Sequence, residues 1–277
     1  MIAYRLLTQP QEFDAITDLE MLVWDMAPRE AVPSHMTQVI GLCGGHILGA
    51  YDEAQLVGFS IALAARSAPG WPSDAGWLLW SHMAAVHPNY QRQGIGRQLK
   101  VHQRTWAIAN GYDVIGWTYN PLLRQNANFN LRVLGAYAST YKPNHYGVMN
   151  DGLNAGLPSD RLIVTWKLDD ERVSRHVEGA IAPLDIAPLD LSEDLPFALV
   201  QDRDYAPVKP PVNWDLPAYG VEIPYDFQAM RRVDQEKAMR WLYIVRETLV
   251  TALDCGYTMR DFVTTPDRCW YILTRDA

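Results

Sequence analysis

The stretch Val86-His87-Pro88-Asn89-Tyr90-Gln91-Arg92-Gln93-Gly94-Ile95-Gly96-Arg97 constrains the fold of this chain more than any other. The apolar run Leu78 to Val86 before it reads as a strand. The amphipathic run Ile95 to Ala109 after it reads as a helix, with Ile95, Leu99, His102, Trp106 and Ala109 on one face. A strand that enters a helix through Gly-x-Gly clears space beside the backbone and leaves the first helical N–H groups unpaired, so such a turn suits an anion. Spacing separates the kinds of nucleotide loop. A dinucleotide fingerprint requires Gly-x-Gly-x-x-Gly, and Leu99 stands where the third glycine belongs. A P-loop requires Gly, four residues, then Gly-Lys-Ser/Thr, and no such run occurs. A bare Gly-x-Gly also serves as an ordinary strand–helix turn.

The form Gln91-x-x-Gly94-x-Gly96, preceded by Val86-x-Pro88 and an aromatic residue two positions past that proline, resembles the acyl-CoA pyrophosphate loop of the GNAT superfamily of N-acyltransferases. The resemblance implies that Gln91, Arg92, Gln93, Gly94, Ile95, Gly96 and Arg97 form the diphosphate cradle. It also implies that the strand before the loop splays from its neighbour, so that Met83, Ala84, Ala85 and Val86 offer backbone groups to a pantetheine arm. Small side chains at Ala84 and Ala85 would let the thioester approach, and an N–H there would hold the acyl oxygen as charge develops on it. Plain close packing is the other reason to place two alanines on a strand.

With 277 residues, 48% hydrophobic and 20% charged, the chain is sized for one large or two moderate globular domains. A net charge of −8 argues against a general nucleic-acid binder, which concentrates positive charge to displace counterions. Arg92, Arg97, Lys100 and Arg104 cluster about the anion loop, either as a local basic pocket or as a solvated helix face. Cys43, Cys255 and Cys269 have neither disulfide-framework nor zinc spacing, and no metal is expected. There is no charged start followed by an apolar core as in a secretory signal, and no apolar run long enough for a bilayer, so a cytoplasmic enzyme with no membrane partner is the expectation.

The periodicity predicts a strand over residues 2–7, a helix from Gln11 to Asp25, and a second helix from Ser34 to Leu42. An antiparallel hairpin His46–Tyr51/Leu56–Ala65 follows, then a loop with Pro69, Gly70 and Pro72 and a strand Trp77–Val86. After the long helix come a strand Asp113–Thr118, a short helix Arg124–Leu134, and strands Ala136–Tyr141 and Leu162–Leu168. That order matches a complete GNAT domain over residues 1–168: an α/β fold with a mixed central sheet and flanking helices. Residues 169–217, rich in Pro and Asp, read as a linker with short strands at best. Residues 218–277 form a C-terminal α/β region with a strand Tyr219–Pro224 and a helix Asp234–Asp254, whose buried face is Ala238, Leu242, Val245, Leu249 and Ala252. Strands Tyr257–Thr264 and Trp270–Thr274 complete it. Asp254-Cys255-Gly256-Tyr257 echoes Ala109-Asn110-Gly111-Tyr112. The region therefore reads either as a degenerate GNAT half that has lost its phosphate loop, or as a coincidence of common helix–glycine–strand junctions.

Transfer to an amine requires a base or a water chain to take its proton. Many GNAT members use a Glu on the strand before the loop; here the polar residues are Ser81 and His82, and His82 falls on the side of Ala84 if the strand is regular. The resemblance gives protonation of the leaving thiolate to a Tyr four residues before the Gly of the late helix, and that position is Leu131. The usual Asn eleven residues before that Gly is Arg124, although the small residue at Ala127 is kept. Asn126, Asn128 and Asn130 are candidate polar contacts on this helix, Asn126 to the cofactor. Thr140-Tyr141-Lys142-Pro143-Asn144-His145-Tyr146-Gly147 and Asn154 to Arg161 lie where a GNAT domain borders its acceptor pocket. Tyr141, His145 or Tyr146 would donate to sulfur, and Lys142 or Arg161 would bind an acceptor carboxylate; a surface loop closed by Pro and Gly is the alternative.

Ser81-His82-Met83, Trp117 to Leu122, Pro158 to Arg161 and Val221 to Phe227 together resemble a branch of GNAT acyltransferases with an extra C-terminal region. The implied activity is direct transfer of acetyl or succinyl from acyl-CoA to a small-molecule amine, an amino acid being one such acceptor. The competing expectation is a CoA-binding sensor or scaffold without turnover, favoured by Leu131. The C-terminal region would lid the acceptor pocket or form a homodimer contact.

Overall fold

A computed structural model describes residues 1–67, 76–147, 156–179 and 195–275. The loop with Pro69, Gly70 and Pro72, the residues Asn154 and Ala155, and Pro183 and Pro188 of the expected linker lie outside the described residues. The described chain divides into two compact units: residues 1–67, 76–117, 156 and 167–169 in the first, and 118–147, 157–166, 170–179 and 195–275 in the second.

In the first unit, strands β1 (Ile2–Leu6), β2 (His46–Asp52), β3 (Gln55–Arg66) and β4 (Trp77–Val86) pair antiparallel in that order, and β5 (Val114–Tyr119) joins β4 in parallel. Helices α1 (Pro10–Trp24) and α2 (Ser34–Leu42) precede β2, and α3 (Ile95–Ala109) connects β4 to β5. One face of the sheet buries Phe13, Ile16 and Leu19 of α1 against Ile47, Phe59, Ile61 and Ala85. The other buries Ile95 and Leu99 of α3 against Leu48, Ala50 and Val57. The strand alternation that separates these two sets fixes the register, because a one-residue slip would exchange them.

The second unit contains α4 (Arg124–Ala127), which continues as a π-helical turn (Asn128–Val133), β6 (Tyr137–Lys142), β7 (Arg161–Lys167) and α5 (Glu171–Val177). It continues with β8 (Phe197–Gln201), β9 (Pro207–Val208), β10 (Ala218–Glu222), α6 (Phe227–Val233), α7 (Gln235–Asp254), β11 (Thr258–Thr264) and β12 (Cys269–Thr274). Its strand order is β7-β6-β11-β12-β10-β8-β9, mixed because β10 and β8 are parallel. Helix α7 buries the expected Ala238, Leu242, Val245, Leu249 and Ala252, with Trp241 and Thr248 added.

Three sequence readings change. The stretch expected as a linker holds α5, capped by Asp170, and strands β8 and β9; seven residues of helix are too few for a clear 3.6 period. The helix Arg124–Leu134 is α only to Ala127, then widens so that Leu134 N–H bonds the Phe129 carbonyl at 3.0 Å. The echo between the two helix–Gly–Tyr junctions does not extend to pairing. β4 and β5 are neighbours across α3, whereas β12 lies between β10 and β11 across α7.

Candidate active site

Strands β3 and β4 stay in register from Gly58↔Val86 to Ile61↔Met83, then slip, so that Ala62 faces Ser81 and His82 is the extra residue of a β-bulge. On the other side of β4, the parallel ladder to β5 runs over Leu79↔Ile115 and Trp80↔Gly116. Beyond Trp80, β4 continues from Ser81 to Val86 with no rung to β5, while its other edge stays paired with β3. Ala84, small and in mid-strand, is exposed there, while Ala85 is buried on the opposite face with partly buried Met83 packed in the same cluster.

The turn after β4 is braced from within. His87 N–H bonds the Val57 carbonyl at 2.8 Å, Tyr90 Oη donates to Asp52 at 3.1 Å, Gln91 Nε2 donates to the Val86 carbonyl at 3.2 Å, and Gln93 Nε2 to that of Asn89 at 3.2 Å. Arg92 (φ 62°) and Gly94 (φ 81°) both take left-handed backbone, which turns the chain sharply into α3. No side chain caps α3, whereas α5, α6 and α7 are each capped by an aspartate, Asp170, Asp226 and Asp234. A Cβ on Gly94 would meet nothing within 4 Å, and one on Gly96 only Val86 Cγ2 at 3.8 Å. The space in front of the helix start is thus open, with unshielded N–H groups behind it, and suits a diphosphate. Gln91 and Arg92 are exposed, Arg97 is half-buried, and Ile95 is a core residue that offers only its backbone.

Residues 43–132, which hold this strand, turn and helix start, match the family model of the acetyltransferase (GNAT) domain. This stretch is similar to a GNAT acetyltransferase domain. It covers about a third of the chain. No curated protein matches the sequence. Among solved structures, the chain is similar to the ribosomal-protein-S18-alanine N-acetyltransferase from Escherichia coli, with 15% identity over 61% of this chain and 96% of that one and a TM-score of 0.48. It is similar also to NAA60 of Arabidopsis thaliana in complex with a bisubstrate analogue, with 15% identity, coverage of 60% and 99%, and a TM-score of 0.49. A third is an aminoglycoside acetyltransferase from an uncultured soil metagenomic sample in complex with sisomicin, with 19% identity, coverage of 46% and 84%, and a TM-score of 0.40.

Within this stretch, the buried face of α3 is Ile95, Leu99, Lys100, Gln103 and Ala107, rotated from the apolar stripe read in the sequence. His102 and Ala109 are exposed, and His102 stacks on Tyr4 at 4.8 Å. Lys100 therefore belongs neither to a basic pocket at the helix start nor to a solvated face. Its Nζ donates to Ser81 Oγ at 2.7 Å and to Gln103 Oε1 at 3.1 Å, and lies 3.9 Å from the centre of the Trp117 ring. Burial pushes its ammonium down to about 7. Arg104 is also turned inward, donating to the Leu168 carbonyl. The sequence reading weighed Lys100 as pocket or solvated face and missed its burial against Ser81 and Gln103. His82, at the bulge, is exposed, and desolvation by the protein packed around it lowers its imidazole below the ordinary value.

In the second unit, Leu131 is fully buried and Asn126 is exposed on α4. Tyr141 is corrected as a sulfur donor: it is buried, and its hydroxyl donates to Asp160 Oδ2 at 2.6 Å, with burial and then Asp160 raising its pKa. Asp160 is also gripped through both oxygens by Arg246 at 2.7 Å. That cluster anchors the strand ends where Lys142 and Arg161 stand directly opposite one another in the β6–β7 register. Arg161 is buried, donates to the Asp160 carbonyl at 2.8 Å, and has its guanidinium 5.3 Å from the centre of the Tyr146 ring. His145 packs edge-on against Tyr146 at 4.5 Å, and Tyr146 Oη shares a 2.9 Å hydrogen bond with Thr118 Oγ1. Burial, then Arg161, then Lys142, lower the His145 pKa, so the three basic groups converge. Like charges opposite each other destabilise a sheet. Among the described residues, no group of three His, Cys, Asp or Glu side chains could hold a metal ion.

Proposed function

We propose that this chain is an acyl-CoA-dependent N-acyltransferase that transfers an acetyl or succinyl group to a small amine bearing a carboxylate, such as an amino acid. The observation that carries the reading is β4, which leaves its partner β5 after Trp80 and runs on, paired only with β3, into an uncapped helix start. Acyl-CoA supplies an activated thioester. Backbone groups of Met83 to Val86 would hold the pantetheine amides, and the N–H groups from Gly94 to Arg97 the diphosphate. A backbone N–H of β4 stabilises the oxygen that gains charge as the amine attacks. His82, kept neutral near pH 7 by its lowered pKa, accepts the amine proton directly or through water. In the second unit, Lys142 and Arg161 would pair with a carboxylate, and His145 and Tyr146 would orient it.

Release of thiol from acetyl-CoA and from succinyl-CoA, measured against a panel of amino acids and their decarboxylated amines, tests this. Turnover should favour the amino acids, and Lys142→Ala should raise the acceptor KM about tenfold, the value of one charged hydrogen bond. Turnover indifferent to the carboxylate would reject the acceptor class. A second reading, a CoA-binding sensor, is favoured by the fully buried Leu131 where the family places its proton donor; tight CoA binding with no thiol release from any amine would select it.

A further inference from the structure

We infer that Lys100, from beneath helix α3, gives the departing sulfur its proton, taking the place of the tyrosine that Leu131 has replaced; the inference rests on acyl-CoA lying along β4 as proposed above. The last rung between β4 and β5 is Trp80↔Gly116, and the next residues on the two strands are Ser81 and Trp117. Lys100 Nζ contacts both, at 2.7 Å from Ser81 Oγ and 3.9 Å from the Trp117 ring centre. It therefore sits at the apex where the strands part.

Reach places the sulfur at the same point. From Val86 beside the phosphate turn back to Ser81, an extended strand covers about 16 Å. A pantetheine arm has about thirteen bonds from phosphorus to sulfur and spans about 15 Å at the rise of an extended chain. The apex is furnished for negative charge. Lys100 and Gln103 are both buried, and Gln103 Nε2 has no hydrogen-bond partner among the described residues. Burial lowers the proton affinity of Lys100.

The groups that face it are Ser81 of β4 and Gln103 of its own helix, with His46 of β2 and His102 of α3 in the same electrostatic neighbourhood. Tyr4 of β1 stacks on His102, and His82 stands beside Ser81 at the bulge. His46 is pushed down to about 4 by burial, then by Lys100 and His102, so it is neutral near pH 7 and does not compete for the proton. In the reaction the amine nitrogen bonds to the thioester carbon, and the carbon–sulfur bond breaks with its pair going to sulfur. Lys100 protonates that sulfur, and the proton shed by the amine returns to Lys100 through His82 and water, leaving amide and thiol.

NMR of the lysine Nζ resonances in the full-length protein tests the contact without turnover. The titration midpoint of Lys100 should be higher with bound CoA than with bound acetyl-CoA, because only CoA can present a thiolate to it. Equal midpoints with both ligands bound would overturn the inference while leaving the cofactor site standing. Failure of acetyl-CoA to bind at all would instead defeat the proposed function on which it rests. Kinetically, kcat should fall as pH rises above about 7. Lys100→Met should lose that limb and about 10²-fold in kcat with KM for acetyl-CoA unchanged. An unaltered kcat and pH profile in the folded variant would overturn it. If Lys100→Met does not fold, the wild-type midpoints decide alone.

Discussion

Gly94 and Gly96 serve different physical ends. Gly94 has a left-handed φ of 81° and open space around its missing side chain, so its role is conformational. Gly96 has ordinary helical backbone, and its role is to keep the helix start bare. Gly96→Glu should therefore leave thermal stability nearly unchanged while placing bulk and negative charge where a diphosphate would sit; a folded variant with unaltered CoA affinity would contradict the cradle. A second residue sets the acid–base behaviour of the first unit. Glu20 is 1% exposed, with Val32 N–H as its hydrogen-bond donor, and burial raises its carboxyl from 4.5 to about 7. A raised carboxyl pKa means that the folded state binds the proton more tightly. Stability is then full below pH 4.5 and is lost as pH rises toward 7, by about 3 kcal/mol for a shift of this size. Glu20→Gln should remove that slope and raise the denaturation midpoint at pH 8; equal midpoints at pH 5 and 8 in the wild type would refute the assignment.

At the scale of elements, α7 is held by more than its apolar face. Arg246 reaches the 1% exposed Asp160 through both nitrogens, and Tyr141 and the Asn144 N–H complete the carboxylate's partners. Arg246→Met should strand a buried charge and cost about 3–5 kcal/mol, read as a fall in the urea midpoint; a loss under 1 kcal/mol would mean that the pair is dispensable. Nothing local in the sequence announced this bond, since its partners lie 86 positions apart. What was legible was periodic or punctuated. Helix α3 has the bounds that Gly-x-Gly and Asn110-Gly111 set for it, and α7 buries the face that its period picked out. What was not legible depended on a partner strand or on mutual polar satisfaction. The bulge at His82 exists only relative to β3. Lys100 and Gln103 go inside because they bond each other and Ser81, whereas a hydrophobicity pattern sends both to solvent. Leu22 and Glu20 exchange places in the same way, with Leu22 exposed and Glu20 buried.

For the whole molecule, the net charge of −8 matters less than where charge is withheld. An anionic cofactor is expected to bind through backbone N–H groups at α3 rather than through a basic surface. Acetyl-CoA at about 100 times its Kd should then raise apparent stability by about 2.7 kcal/mol, seen as a higher Tm, and moderate salt should reduce this only slightly. No described helix is long and apolar enough to cross a membrane. The central claim is that the start of a single helix, beside a strand that has left its neighbour, grips an acyl-CoA. Calorimetric titration of acetyl-CoA into the wild-type protein and into Gly96→Glu tests it most directly. Saturable heat with the wild type and none with the variant is the expected result. No heat with the wild type, or the same heat with both, would contradict it.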